Sequence, residues 1–209
     1  MTAAEKRNYH HGDLRAALIQ AGLQLLEARQ DQDIGLREVA RAVEVSATAV
    51  YRHFPDKAAL LRALSAEGLA RLARAQQAAF DRAGGGKAGF FATGRAYVRF
   101  ALANPALFRL IFSNPPEQDL MSSPQDTVPE AFRMLRENAA SLAPPGASAD
   151  AVSLAALDAW ARVHGLAVLL LDGQIPKDDR LIDAVIGPGN DESAAPSSGK
   201  RRRETRRPS

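Results

Sequence analysis

The stretch LREVARAVEVSATAVYRHFPDKAALLRAL, residues 36–64, decides the fold of this chain. Apolar residues recur at helical spacing over residues 36–43, which predicts a short helix. Ser46 can cap a second short helix over residues 47–53, and Pro55 disfavours helical geometry in the residue before it. Two short helices joined by a four-residue turn are typical of a helix-turn-helix.

The second of these short helices presents one polar face. Thr48, Tyr51 and Arg52 lie three and four residues apart and share that face. Val50 and Phe54 point elsewhere, into the core of a three-helix bundle. Hydroxyl groups and cations in this arrangement suit contacts to DNA phosphates. Small helical bundles of other function show similar patterns, so the pattern by itself leaves DNA binding open.

The composition favours helices throughout the 209-residue chain. Alanine occurs 41 times, whereas valine, isoleucine and threonine together occur 21 times. Strands prefer β-branched residues and helices prefer alanine, so the fold class is predicted to be all-α. The length fits one or two domains. The absence of cysteine excludes a disulfide framework and thiolate metal sites.

Breakers and apolar periodicity place the remaining helices. Gly84, Gly85 and Gly86 end a long helix that Asp56 can cap, and a polar loop with prolines spans residues 113–126. We therefore expect about nine helices, over residues 14–30, 36–43, 47–53, 57–82, 87–103, 105–112, 127–142, 149–172 and 178–187.

The basic charge of the chain resides in its C-terminal tail. The net charge is +3, but residues 199–209 carry +5, which leaves −2 for the rest. Residues 189–209 are predicted to form a disordered basic tail that attracts DNA without sequence preference. The first sixty residues are balanced, with eight basic and eight acidic side chains. His10 and His11 are weak candidates for metal ligands and better candidates for phosphate contacts.

Membrane and catalytic signals are weak. The longest strongly apolar run, residues 163–171, has nine residues, and a membrane-spanning helix needs about 20. We therefore expect a cytoplasmic protein without a membrane partner. The sequence contains neither a Gly-x-Ser-x-Gly nor a His-Glu-x-x-His motif. The chain is not expected to be an enzyme or to hold a metal or a cofactor.

The N-terminal third resembles the TetR family of bacterial transcription regulators. The resemblance rests on YHHGDLRAALIQAGLQLLEA, residues 9–28, and on the stretch over residues 36–64. It implies a DNA-binding domain over residues 8–70, with the helix-turn-helix at about 35–54, in a dimer that reads two major-groove half-sites. The predicted DNA contacts are Arg37, Ser46, Ala47, Thr48, Tyr51, Arg52, His53 and Lys57.

Two residues depart from the pattern of that family. Glu44 stands in the turn where members usually have glycine, and a non-glycine residue at positive φ costs about 1 kcal/mol or more. Gly35 stands where a serine or threonine usually caps the first short helix. Glycine caps only a few tenths of a kcal/mol less well, but it has no hydroxyl to donate to a phosphate.

The C-terminal half, residues 84–188, resembles a TetR subgroup named for a tryptophan and a His-Gly pair. The matching stretches are AYVRFALANPALFRLIF, residues 96–112, and AWARVHGLAVLLLDGQIP, residues 159–176. This half is expected to dimerise and to bind an effector. Because residues 163–171 have no polar face, the predicted helix over 149–172 is expected to pack on a second subunit. The resemblance implies that the helix over 178–187 completes the seam of a homodimer.

Trp160 and His164 lie one helical turn apart, and the sequence leaves three possible roles open for them. They can pack as core residues, line a cavity for an apolar effector between the fifth, seventh and eighth helices, or take part in catalysis. The predicted effector pocket consists of Tyr97, Phe100, Phe108, Trp160 and His164.

The most favoured function is that of a repressor. It would bind a palindromic double-stranded DNA operator as a homodimer and leave it when a small, mostly apolar effector binds. The alternatives are a helical enzyme or cofactor carrier centred on His164 and a protein-binding adaptor whose DNA-reading helix has decayed.

Overall fold

The computed structural model describes residues 14–29, 34–114, 120, 123–124 and 126–187, and it folds them into nine α-helices without a strand. This confirms the predicted all-α class. The expectations for His10, His11 and the basic tail lie outside the described residues. In chain order the helices are α1 (Leu14–Arg29), α2 (Leu36–Ala42), α3 (Ala47–Tyr51), α4 (Lys57–Arg82), α5 (Gly86–Ala103), α6 (Pro105–Ser113), α7 (Glu130–Leu142), α8 (Ala149–Leu171) and α9 (Asp179–Ile186).

Two helices differ from their predicted bounds by more than one residue at one end, and both are shorter. Helix α3 ends at Tyr51, two residues early, because the N–H of His53 bonds to the carbonyl of Val50, three residues back, and so leaves the α-helical ladder. Helix α7 begins three residues late. Thr127 is held in a turn by bonds to the carbonyl of Pro124, and the residue before Pro129 is disfavoured in helical geometry.

Side-chain caps fix the helix starts near the turn. The hydroxyl of Ser46 accepts from the N–H of Ala49 at 3.2 Å, and the carboxylate of Asp56 accepts from the N–H of Ala59 at 2.7 Å. Each bond satisfies a backbone donor that the first turn of a helix leaves unpaired. Both predicted caps are therefore present.

The apolar side chains form two clusters that meet along α4 and α6. One cluster joins α1, α2, α3 and the first half of α4 to the inner face of α6. The other joins α5, α8 and α9 to the second half of α4 and to Phe108 of α6. Trp160 and Phe112 pack against both clusters. The helix-turn-helix therefore shares a core with the C-terminal half.

Two glycines bring α4 into close contact with its neighbours. A Cβ atom placed on Gly22 of α1 would lie 2.9 Å from a methyl carbon of Leu64. One placed on Gly68 of α4 would lie 2.8 Å from Leu107 and 2.9 Å from Ile111, both on α6. Because these distances leave no room for a side chain, α4 lies directly against α1 and α6.

Helix α8 is apolar and only partly covered. It packs against α5 and α7, while Leu154 and Leu169 are 66% and 45% exposed. Among the described residues, α8 is the one helix long and apolar enough to cross a membrane by length and composition alone. Taken alone, the nine strongly apolar residues 163–171 did not predict an apolar helix of this length. The alanines before Trp160 extend the apolar stretch.

Candidate DNA-reading surface and aromatic cavity

The turn between α2 and α3 has a left-handed residue at Glu44, with φ 58°. The N–H of Val45 bonds to the carbonyl of Ala40 at 3.0 Å, and that of Glu44 bonds to the carbonyl of Arg41 at 3.2 Å. This pair of bonds is the Schellman arrangement that ends many helices, usually with glycine at the left-handed position. The turn therefore keeps its usual geometry despite the missing glycine.

The predicted contact residues around α3 lie on one exposed surface, which we call the reading surface. Tyr51 is 47% exposed although it is a large aromatic residue, whereas Val50 and Phe54 are buried in the core. Ala47 is half-buried beside them. The exposed members of the reading surface are Arg37, Ser46, Thr48, Tyr51, Arg52, His53 and Lys57.

One carboxylate close to the reading surface, that of Glu38, is engaged in local bonds. Glu38 accepts from the N–H of Gly35 at 3.0 Å and from the guanidinium of Arg29 at 2.7 Å. These two bonds, that of Gly35 first, lower the pKa of Glu38, so its charge is permanent at neutral pH and is paired. Arg37 and Arg52 make no ion pair with any residue that the structure describes. The surface therefore offers cations to an anionic partner.

A cavity of about 400 Å³ lies between α4, α6, α7 and α8. The side chains that the structure describes in its wall are apolar except for one imidazole and one indole. The lining residues are Leu69, Ile111, Phe112, Leu120, Phe132, Leu157, Trp160, Ala161 and His164. Within the described part of the chain, no group of three acidic or histidine side chains could hold a metal ion.

A short hydrogen-bonded chain lies behind the cavity wall. The Nδ1 atom of His164 lies 2.8 Å from the hydroxyl oxygen of Tyr97. The same oxygen accepts a hydrogen bond from the indole N–H of Trp160 at 3.4 Å. Burial lowers the pKa of His164 and raises that of Tyr97. Both groups are consequently neutral near pH 7, because burial disfavours the charged forms.

The predicted pocket residues divide into two groups. Trp160 and His164 line the cavity. Tyr97 and Phe108 contact the imidazole of His164 from behind, with ring centroids 6.3 and 5.5 Å away. Phe100 instead faces a shallow groove between α4 and α5. The cavity was expected between α5, α7 and α8, but no described residue of α5 lines it, because Tyr97 fills the space in front of that helix.

Several lining residues were missed by sequence reasoning. Leu69, Ile111, Phe112 and Phe132 come from three helices that meet α8 only in the folded chain. Their signal in the sequence is ordinary apolar periodicity, which marks a buried face without saying whether that face meets a neighbour or a void.

The helix-turn-helix and the helical C-terminal half together define a DNA-binding transcription regulator, and two family models match this chain. The model described as "Bacterial regulatory proteins, tetR family" matches residues 18–64. The model described as "Tetracyclin repressor-like, C-terminal domain" matches residues 90–187. The chain belongs to the TetR family, which confirms the resemblance found in the sequence. The likeness to the Trp/His-Gly subgroup stays a prediction.

Solved structures share the fold over nearly the whole chain. A protein of unknown function from Rhodococcus sp. RHA1 is 30% identical, with 85% of this chain and 94% of that chain covered and a TM-score of 0.68. A protein provisionally described as regulatory, SCO4313, is 23% identical, with 89% and 97% covered and a TM-score of 0.60. The second likeness shows the fold alone. No curated protein matches the sequence.

Proposed function

We propose that this chain is a homodimeric repressor that binds a palindromic operator and releases it when a small, mostly apolar effector fills the cavity. The observation that carries the proposal is the position of α6. Phe112 of α6 lies against His164 at the cavity, with ring centroids 4.6 Å apart. Ile111, which precedes Phe112 in the chain, is buried in the hydrophobic cluster that contains the helix-turn-helix. A ligand at the cavity wall therefore touches the same helix that supports the DNA-binding domain.

DNA binding would use the reading surface. Thr48 and Tyr51 of α3 and Arg52 directly after it are exposed, whereas Val50 between them is buried. Thr48 and Arg52 are proposed to contact base edges, and Tyr51 and Lys57 to contact phosphates. The hydroxyl of Ser46 accepts a bond from the backbone, but its hydrogen can still be donated to a phosphate oxygen.

The dimer seam would use the exposed stripe of α8. Leu154, Leu157, Ala161, Gly165 and Leu169 follow one another at spacings of three and four residues and so share a face. A Cβ atom on Gly165 would meet nothing within 4 Å, so this face is open in a single chain. Exposed apolar stripes of this kind are typical of interfaces rather than of solvent-facing helices.

Helix α9 contributes less of its surface to such a seam than expected. Ile182 and Ile186 are buried in their own chain, and Ile186 packs closely against Gly94 of α5. Leu181 and Val185 are partly exposed and remain available at the edge of the seam. A bacterial cytoplasmic location follows from the proposed function, because the operator lies there.

Effector release would act through a shift between two arrangements. The cavity volume lies within the usual range of about 300–1,000 Å³ for small-molecule sites. A ligand shifts the equilibrium only as far as its affinity differs between the DNA-competent and the incompetent arrangement. Displacement of Ile111 and Phe112 on α6 would supply that difference, because both side chains line the cavity and α6 packs on α1 and α4.

The dimer and its operator can be tested together. We expect footprinting on DNA beside its own gene to show two symmetric half-sites, and we expect Leu154→Asp to give a monomer with strongly weakened operator binding. Light scattering and gel shifts measure the two effects. The matched control is Leu142→Asp, a leucine that is 39% exposed at the end of α7. A Leu154→Asp variant that stays dimeric would show that the dimer seam lies elsewhere.

The alternative functions would be favoured only if the protein does not bind DNA. Specific binding of a peptide would then favour the protein-binding adaptor, and turnover of a substrate would favour the enzyme.

A further inference from the structure

The hydrogen-bonded chain behind the cavity fixes where the proton of His164 lies. Trp160 can only donate through its indole N–H, and it donates to the hydroxyl oxygen of Tyr97. The single hydrogen of that hydroxyl then has one acceptor within reach among the described residues, the Nδ1 atom of His164 at 2.8 Å. A neutral imidazole whose Nδ1 accepts a bond carries its hydrogen on Nε2.

The opposite edge of the ring is the one left to meet the cavity. His164 lines the cavity, whereas Tyr97, its partner at Nδ1, does not. The ring edge opposite Nδ1 contains Nε2, which has no hydrogen-bond partner in the part of the chain that the structure describes. His164 is half-buried beside the apolar side chains of the wall. A hydrogen on Nε2 would therefore have no acceptor among the described residues.

We infer that the effector is a neutral, mostly apolar molecule with one carbonyl-type acceptor, and that the Nε2–H group of His164 donates to that oxygen. This inference rests on the proposed function of the cavity as the effector site. The other polar group of the wall, the indole N–H of Trp160, is already bonded to Tyr97. The described wall of the cavity therefore presents a single side-chain donor to its ligand.

The same wall excludes charged ligands. No lysine or arginine is among the described residues that line the cavity, so a carboxylate placed there would be desolvated without a cation from them to pair with. A ligand that can only donate a hydrogen bond finds no side-chain acceptor among the same residues, because Nδ1 is occupied by Tyr97. Acceptor ligands are thus preferred over donors and anions of the same shape.

The proton position can be measured without any ligand. In protein labelled with ¹⁵N-histidine, the nitrogen shifts distinguish the two neutral forms of the ring, and the signal of His164 is identified by its loss in His164→Gln. We expect a protonated Nε2 and a bare Nδ1 at pH of about 7.5, above the usual pKa of histidine. A protonated Nδ1 would overturn the inference, whatever the cavity binds.

The ligand class can be tested with four bicyclic probes of similar shape by calorimetry. 1-Indanone offers a carbonyl oxygen, indane is apolar, indole is a donor and indane-1-carboxylate is an anion. We expect 1-indanone to bind roughly two- to tenfold more tightly than indane, the usual range for one net hydrogen bond, and the carboxylate to bind most weakly. Indole is expected to gain nothing over indane.

Two variants separate this inference from the proposed function. Tyr97→Phe frees Nδ1 of His164 to accept a hydrogen bond, so indole should then gain on indane, whereas in the wild type it gains nothing. Phe112→Leu is the matched control, since it changes an apolar part of the wall and should weaken all probes alike. If all probes bind but indane equals 1-indanone, the cavity survives as a ligand site and the inference fails. If no probe binds, both fail.

Discussion

The reading surface and the aromatic cavity relate stability to function in different ways. At the reading surface, Tyr51 faces solvent while Val50 and Phe54 on the other side hold the helix in place. At the cavity, the residues proposed to meet the ligand also hold the core, since Trp160 and Phe112 pack against both hydrophobic clusters. Substitutions at the reading surface should therefore change DNA binding without changing stability. Substitutions at the cavity should change ligand binding and stability together.

The largest effect is expected from Trp160→Ala. The indole packs edge-on against Phe132, with ring centroids 4.9 Å apart, and bonds to Tyr97. Its removal should lower the free energy of unfolding by about 3 kcal/mol, the lower end of the range for large aromatic residues. Urea denaturation followed by circular dichroism measures this change. A decrease below about 0.5 kcal/mol would show that the cavity wall is as separable from stability as the reading surface.

A smaller effect, confined to DNA, is expected from Tyr51→Ala and from Lys57→Ala. Each variant should weaken operator binding about tenfold and leave the unfolding free energy within about 0.5 kcal/mol. The salt slope should fall by about 0.9 for each phosphate that the variant no longer neutralises. Fluorescence anisotropy with operator DNA at several salt concentrations measures both the affinity and the slope.

Arg82→Ala is the matched control for these two variants. It removes one exposed cation at the far end of α4, about 37 Å along the helix from Lys57. Operator affinity and salt slope should stay unchanged in this variant. If Tyr51→Ala and Lys57→Ala behave like Arg82→Ala, α3 does not carry the DNA contacts.

The smallest effect is a pH dependence that originates at the cavity. Burial lowers the pKa of His164 below its usual 6.5, so the unfolded chain takes up a proton at a higher pH than the folded chain. Stability should fall as the pH drops from about 7.5 to about 5.5, because the unfolded state then binds more protons. The pKa of Glu38 lies below 4.5, so Glu38 does not contribute in this range. Denaturation at both pH values should show a steeper decline for the wild type than for His164→Gln. Equal declines would show that burial does not shift the titration of His164.

The two regions also differ in how far the sequence predicts them. The reading surface lies within a short stretch, from Arg37 to Lys57 with the turn between, and local signals such as Ser46, Pro55 and Glu44 define its geometry. The predicted end of α3 was nevertheless two residues too late. The helix ends before it reaches Pro55, because the N–H of His53 bonds to the carbonyl of Val50.

The cavity depends on contacts between distant parts of the chain. Tyr97 bonds to His164 across 67 residues, and Phe132 meets Trp160 across a loop. Apolar periodicity predicted the helices that carry these residues. It could not predict which side chains enclose a void, since that depends on how several helices cross one another.

The left-handed residue in the turn has a consequence for how such a regulator evolves. A side chain in that conformation costs about 1–2 kcal/mol, and a glycine would instead cost about 0.5–1 kcal/mol through the entropy of the unfolded chain. Glutamate therefore stays less favourable than glycine by up to about 1.5 kcal/mol, a difference that the fold tolerates at Glu44. Its exposed negative charge beside the proposed phosphate contacts weakens attraction to every DNA sequence equally. A lineage can therefore adjust the time spent on unrelated chromosomal sites by a substitution at this position, at a small change in stability, while the residues that distinguish one promoter from another stay the same.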